Sequence, residues 1–486
     1  MKIRIKIDDS KLKGFEFELD LNKPAYYTIP VNLLKFYNAI NSASGSKVRI
    51  PTGAIPDMPG ILPVTGHDMF NYVTKFGAAN FQNQVVMRLN GRLNPYVLMK
   101  AVRLSVEAEP VFGSKLIENN PPYWKLLDLD KISFCSFENT SDPDRSIQCF
   151  LEKKLDMDND PMLQLRLISG DFNDTLCIKI NHSCCDGTGT KEYIQLLSTI
   201  YSTLERGETY VPKPKHRSRI DQDRLFNSLG IEDPASAWNG ELDLPKNMWP
   251  FPWLQGKPET YRVCVLKLPG SYCSILSKYS KARNATINDV LLTAYYRAMY
   301  KITGIQPDLP MNISMTVDLR RYIPERKTEG IRNFSAGLDT KLSCVNGEPF
   351  EGTLARVTEM MNGIKNKQPG LQSAIGLERV EKEVFGDTLS YYITAAKNSV
   401  FNTSCSPALS NLGFINKTLF KFNDTYVTDA YIVPPAVSAP SFLLCIGTYN
   451  NEITMAMSHY EEQVHHEDIN RLLYTIRDQL IEGCRY

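Results

Sequence analysis

Asn181-His182-Ser183-Cys184-Cys185-Asp186-Gly187 is the stretch on which the reading of this chain turns. The residues before it alternate. Leu176, Ile178 and Ile180 share one parity, and Cys177, Lys179 and Asn181 share the other. That is the period of a β-strand with one apolar face. His182 continues the apolar parity, so the strand is predicted to end in a histidine turned toward the interior. An imidazole held there can act as a general base near neutral pH. A tight loop then brings in Asp186, and Gly187 permits a turn that a Cβ would hinder.

The neighbouring segments support this placement. Leu163, Leu165 and Leu167 alternate, Asp171 to Asp174 turn, and the His182 strand returns, which predicts an antiparallel hairpin. After the loop, Ile194, Leu197, Tyr201 and Leu204 form one helical stripe. Further upstream, Phe81, Val85, Met87 and Leu89 mark a strand. Asn94-Pro95 then opens a helix with Asn as N-cap and Pro in the first turn, and Leu98, Ala101, Val102 and Ser105 as its core face.

His182-x-x-x-Asp186-Gly187 resembles the HxxxDG motif of the CoA-dependent acyltransferase superfamily, which includes chloramphenicol acetyltransferase and the condensation domains of peptide synthetases. Many members carry two consecutive histidines, the second being the base; here Asn181 stands in the first place. Three later segments resemble the superfamily in the same order. Thr286-Ile287-Asn288-Asp289-Val290-Leu291 is similar to its NDVLL helix, Val317-Asp318-Leu319-Arg320 to its D-x-R strand end, and Ser410-Asn411-Leu412-Gly413 to its late SNLG strand. The resemblance spans most of residues 65 to 460. It implies an α/β (α+β) fold of two chloramphenicol-acetyltransferase-like lobes, each a mixed sheet with covering helices, with a tunnel between them and His182 near its middle.

The division expected along the chain has four parts. Residues 1–64 are an N-terminal extension: Ile3, Ile5 and Ile7 against Phe15, Phe17 and Leu19 read as a β-hairpin, Val31 to Ile40 as a short helix, and Pro51 to Pro63 as a link. Residues 65–206 form the first lobe. Residues 207–257 are a Pro- and Trp-rich crossover, in which Trp238, Trp249 and Trp253 are too apolar to hang in solvent. Residues 258–486 form the second lobe. Its first helix opens at Thr286 with Asp289 three residues on, a capping-box spacing. Its strand from Met311 to Arg320 splits into an apolar and a polar face, and Asn450-Asn451 joins two strands as a hairpin. Residues 467–482 close the chain as a helix, with Gly483 as a stop.

Composition bounds the function. The chain has 486 residues, of which 43% are hydrophobic and 22% charged, the balance of an ordinary globular protein. A net charge of +1 argues against a nucleic-acid binder or a polybasic membrane anchor. The 11 cysteines include no CxxC pair, and an odd number suits a reducing compartment, so a cytoplasmic location is expected. The alternating N-terminus has no apolar core of a signal peptide, and no apolar run of about 18 residues predicts a membrane span.

For the chemistry, His182 is the candidate base. It would take a proton from an alcohol or amine as that acceptor attacks an acyl-CoA thioester, acetyl-CoA for instance, and return it to the leaving thiolate. Acyl-CoA is then a cosubstrate, and no cofactor is bound permanently. An ester product is favoured over an amide, since a chain of this length lacks carrier and adenylation modules. A condensation-type enzyme drawing on a carrier-protein phosphopantetheine is the second reading. A homologue that binds a ligand or partner without turnover is the third, to which Asn181 lends weight.

Asp186 is a second acid or a loop residue on its own terms. The resemblance implies instead that it turns from the substrate and pairs with Arg320, with Arg321 as the other candidate. Ser410 and Asn411 either line the tunnel and donate to the oxyanion or form a strand-end turn before Gly413; Thr316 and Ser314 are weaker candidates of the same kind. Asn288 and Asp289 are assigned to capping and packing. Cys184 and Cys185 would need stabilised thiolates to act as nucleophiles. His465-His466 are read as a solvated pair without the spaced partners of a metal site, so no metal is expected.

Overall fold

The alternation between Leu163 and Asn181 folds as read. β8 (Leu163–Ser169) and β9 (Asp174–Asn181) pair antiparallel, with Leu163 opposite Ile180 and Leu167 opposite Leu176. The molecule, known from a computed structural model, is described over residues 2–6, 16–20, 60–76, 82–119, 121–156, 159–215, 217, 219–234, 236–237, 249–254, 256–306, 308–382, 404–417 and 420–485. It divides into two units, residues 1–49 and 50–486.

In the first unit β1 (Lys2–Lys6) pairs antiparallel with β2 (Glu16–Asp20), Ile3 facing Leu19 and Ile5 facing Phe17. The expected helix at 31–40 and the residues Ile7, Phe15, Phe81 and Trp238 lie outside the described residues. The expected boundary at residue 64 moves. β3 (Ile61–Pro63) joins β6 (Tyr123–Leu126) and β5 (Ser114–Ile117) in a small antiparallel sheet of the second unit.

Two mixed sheets build the second unit. The first runs in the order β15 (Lys421–Phe422), β16 (Thr425–Val433), β4 (Gln82–Leu89), β9, β8 and β7 (Cys135–Asn139), with β7 and β8 parallel. The second runs β11 (Tyr261–Lys267), β18 (Glu452–Tyr460), β17 (Ser441–Tyr449), β14 (Ser404–Ile415), β12 (Met311–Asp318) and β13 (Ser335–Leu342), and the short β10 (Trp249–Pro250) pairs with β14. β14 lies parallel to both β12 and β17. A second lobe made only of residues 258–486 is therefore corrected: β15 and β16 leave it and complete the first sheet. Edge main-chain groups of β4 need a partner, and β16 supplies it, with Ile432 opposite Val85.

The one-faced reading of β9 is also corrected, because every residue of it is buried. Leu176, Ile178 and Ile180 pack into the larger core with helices α2 (Pro95–Ala108) and α4 (Gly187–Glu205). The opposite face meets α3 (Pro143–Glu152) and the second sheet, where Cys177 and Val86 join Phe150, Tyr261, Val263 and Tyr460. Lys179 on that face donates to the carbonyls of Phe150 and Lys153, and burial pushes its ammonium down to about 7.

Local chemistry starts and ends the helices as the caps dictate. The first, α1 (Gly66–Val73), is boxed by Thr65 and Asp68, and α7 (Ile287–Thr303) by Thr286 and Asp289, ending in left-handed Gly304. The others are α5 (Ile220–Ser228), α6 (Ser271–Ala282), α8 (Phe350–Lys365), α9 (Leu371–Lys382) and α10 (His466–Gly483). Gly483 is the last helical residue rather than a stop, and its lack of a Cβ leaves room for the Phe350 ring that packs on it. In the crossover, Trp249 is fully buried and donates to the Asn312 carbonyl at 2.6 Å. No described helix is long and apolar enough to cross a membrane.

Candidate active site

β9 delivers Asn181 to a sealed strand end, and its side chain there organises the loop. Its Oδ1 accepts from Ser183 N at 2.9 Å and from the Ser183 hydroxyl. His182 follows, half-buried, with Nδ1 shut off from solvent. Burial lowers its pKa below the ordinary 6.5, against the pull of its own carbonyl, Asp186 and Asn333 toward the charged form. The imidazole is thus neutral at pH 7, the form a base requires.

Asp186 caps α4. Its Oδ1 accepts from Gly189 N at 2.8 Å, and its Oδ2 accepts from Phe334 N at 2.8 Å and Arg320 Nη1 at 2.9 Å. Burial opposes its ionisation, yet the Arg320 guanidinium and the two N–H donors hold its carboxyl below the usual range. Arg320 is itself buried and also meets Asp318 Oδ1 at 3.2 Å and Glu192 Oε1 at 3.6 Å, while Nη2 donates to the Arg332 carbonyl at 3.0 Å. Arg321 instead points to solvent, its guanidinium 5.5 Å from the Tyr322 ring. The pairing of Asp186 leaves its two oxygens occupied by donors.

Gly187 needs a different account from the turn expected of it. It is the first residue of α4 and does not have a positive φ. A Cβ on it would lie 2.5 Å from Leu412 Cδ2, so the glycine permits β14 to approach the loop closely. Two more contacts join α4 to the second sheet: Thr188 Oγ1 donates to Asp318 Oδ2 at 3.0 Å, and Lys191 Nζ to the Leu412 carbonyl at 3.0 Å.

The polar face of the second sheet continues from there. Thr316 Oγ1 donates to Ser410 Oγ at 3.1 Å. Asn411 Nδ2 donates to Asn288 Oδ1 at 3.2 Å, and its Oδ1 accepts from Gly413 N at 3.0 Å across a bulge. Asn288 therefore does more than pack, since it reaches from α7 to β14. Asp289 keeps to its capping role, accepting from Thr286 N at 2.8 Å. Ser314 is engaged by Asp339. Cys184 and Cys185 are fully buried and burial pushes both thiols up, so neither is a thiolate near pH 7. His465 is exposed as expected, but His466 is not a solvated residue: its Nδ1 lies 3.4 Å from Cys264 Sγ.

A second group of residues underlies the loop and carries no motif. Asn333 Nδ2 donates to the carbonyls of His182 at 2.8 Å and Ser183 at 2.9 Å. Arg217 bonds the carbonyls of Cys184 and Ile331, and its Nη1 reaches Asp68 Oδ2 at 2.6 Å. Arg332 pairs with Asp221 at 2.9 Å. His67 stacks on Phe334 at 5.9 Å, and burial pushes it down to about 4. Only Thr65-Gly66-His67-Asp68 carried a sequence signal, the capping-box spacing. Arg217, Asn333 and the others are drawn in from distant segments that lack one.

Two mixed sheets thus meet around this loop, and comparison with known proteins gives the family. Residues 73–383 match the family model described as "Condensation domain". The chain belongs to that family. No curated protein sequence matches it. Among solved structures it is similar to polyketide synthase associated protein 5 from Mycobacterium tuberculosis, at 16% identity and a TM-score of 0.64, covering 88% of this chain and 99% of that one. The first condensation domain of the calcium-dependent antibiotic synthetase shares 16% identity and a TM-score of 0.63, covering 87% and 95%. A trichothecene 15-O-acetyltransferase from Fusarium sporotrichioides shares 12% identity and a TM-score of 0.61, covering 88% and 96%. These likenesses are of fold.

Proposed function

We propose that the protein is an acyltransferase in which His182 is the general base. The acceptor is an alcohol or amine, and the donor is an acyl-CoA thioester. His182 Nε2 takes the acceptor's proton as its oxygen or nitrogen attacks the thioester carbon. The tetrahedral intermediate then expels the thiolate, and the imidazolium returns a proton to sulfur. Asp186 is the positioning residue, held by Arg320 and turned from this chemistry. Ser410 accepts a hydrogen bond from the Thr316 hydroxyl and keeps its own O–H to donate, so Ser410 and Asn411 are assigned to the oxyanion and the tunnel wall.

The observation that carries this reading is the manner in which the loop is held. The main-chain carbonyls of His182, Ser183 and Cys184 accept from Asn333 and Arg217. The imidazole is therefore fixed through its backbone and kept neutral by burial, as a base poised for transfer needs to be.

A carrier-protein thioester is the second donor reading, favoured by the condensation-domain match. One experiment separates the readings. The protein is mixed with acetyl-CoA and a panel of alcohols and amines, and thiol release is followed. Acceptor-dependent release that disappears in His182→Ala supports acyl-CoA transfer. Activity only with an acylated carrier protein selects the second donor. No turnover with either would leave a binding homologue and overturn the proposal.

A further inference from the structure

We propose that Cys264, His459 and His466 form a binding site for a divalent cation of zinc type, which fastens the last helix to the edge of the second sheet. The three residues come from separate places. β11 and β18 are antiparallel, with Arg262 opposite His459 and Cys264 opposite Met457. Cys264 and His459 are thus diagonal neighbours on one face of the sheet. His466 opens α10, which covers that face.

The geometry fits a metal. One ligand atom from each residue lies within 4.8 Å of the others. Cys264 Sγ stands 3.4 Å from His466 Nδ1. A tetrahedral zinc with Zn–S of ~2.3 Å and Zn–N of ~2.0 Å holds such a pair ~3.5 Å apart. The His459 and His466 rings are 5.3 Å apart between centroids.

A thiol hydrogen bond from Cys264 to His466 would account for that one contact alone. It does nothing for His459. His459 is 2% exposed, and neither of its ring nitrogens has a hydrogen-bond partner among the described residues. A buried imidazole lone pair without a donor is costly, and a cation fills that place. Arg262, the guanidinium beside the site, is engaged by Glu152 at 3.0 Å and Glu461 at 3.1 Å, which tempers its repulsion of a cation. Thiolate with two imidazoles is a donor set that zinc takes readily, with water in the fourth position. On binding, the Cys264 S–H proton leaves to solvent and the sulfur lone pair bonds the metal, with no change of oxidation state.

The test uses the full chain, stripped with chelator and titrated with cobalt(II), then zinc. The expected result is a thiolate-to-cobalt charge-transfer band that saturates at one equivalent and is displaced by zinc, with zinc raising the thermal midpoint. Cys264→Ser and His459→Asn should lose the band and the thermal shift. His465→Ala, one residue from the site and exposed, and Cys149→Ser, an exposed thiol, should keep both. Circular dichroism checks that each variant is folded, and His466→Gln serves should either ligand variant fail to fold. Lack of the band in the wild-type chain, or its persistence in Cys264→Ser, would overturn the proposal. The site is independent of the acyl-transfer reading, and turnover is not its readout.

Discussion

Replacing Asp186 by alanine removes three acceptor contacts at one stroke. The α4 cap to Gly189 N at 2.8 Å is lost, a contribution of ~1 kcal/mol. The Phe334 N–H, bonded at 2.8 Å, and the Arg320 guanidinium, bonded at 2.9 Å, lose their shared partner. Breaking a buried pair from one side costs ~3–5 kcal/mol. Arg320 keeps Asp318 at 3.2 Å and Glu192 at 3.6 Å, which offsets part of the stranded charge. A loss of ~4 kcal/mol is therefore expected, the cap included. Asp186→Asn should be less benign than its shape suggests. Both carboxylate oxygens accept from N–H donors, so either amide orientation sets an NH₂ against a donor. Arg320→Ala leaves the carboxylate its two main-chain donors and should cost ~3 kcal/mol. Since the two side chains share one contact, the double variant should fall short of the sum by ~1–3 kcal/mol. Guanidinium denaturation of the two singles and the double measures this, and strict additivity would refute the pairing as the loop's anchor. The pH dependence follows the same pair. A depressed carboxyl stabilises the fold fully above its unfolded pKa of ~3.9, and that contribution is lost as pH falls through the still lower folded value. Wild-type stability should accordingly fall more steeply in that acid range than that of Asp186→Asn.

Further outcomes follow from the same geometry. His182→Ala should keep its circular dichroism spectrum and lose turnover by ~10²–10⁴-fold, and near-normal rates in a folded variant would sink the proposed mechanism. Burial holds the His182 pKa below 6.5, so the acid limb of kcat/KM should also lie below 6.5 in a pH–rate profile; a limb above it would contradict the burial argument. Gly187→Ala sets a methyl against Leu412 and should cost ~1–3 kcal/mol in thermal or chemical denaturation, with much of the loss recovered by adding Leu412→Ala. Buried Cys184 and Cys185 should resist a thiol reagent under native conditions while exposed Cys149 reacts, as peptide mapping of the labelled protein would show.

Much of the loop was legible because its signals are local. Period-two alternation marks the β8–β9 hairpin, and Thr286 with Asp289 marks a helix start, since strand pleat and cap geometry are set within a few residues. What lies on a strand's second face is not local. The alternation of β9 does not say what its second face meets; Lys179 there is buried beneath α3, a position decided by which helix crosses it.

The alternation into His182 and the capping-box spacing of Thr286 and Asp289 are properties of the chain read along its length, because strand pleat and capping act at short range. The order of the four motif segments carried the resemblance to the family and, with it, the candidate base. Tertiary structure decided between Arg320, which the resemblance favoured, and Arg321; it alone brought Asn333, Arg217 and Asp68 beneath the loop, moved β16 into the first sheet, and set Cys264 beside His459 and His466. Apart from the cysteine–histidine cluster, those outcomes satisfy a buried charge, a main-chain carbonyl or a strand edge with a group from a distant segment. The need for a partner is written in the residue, and its identity is decided only when the folded chain excludes water from both.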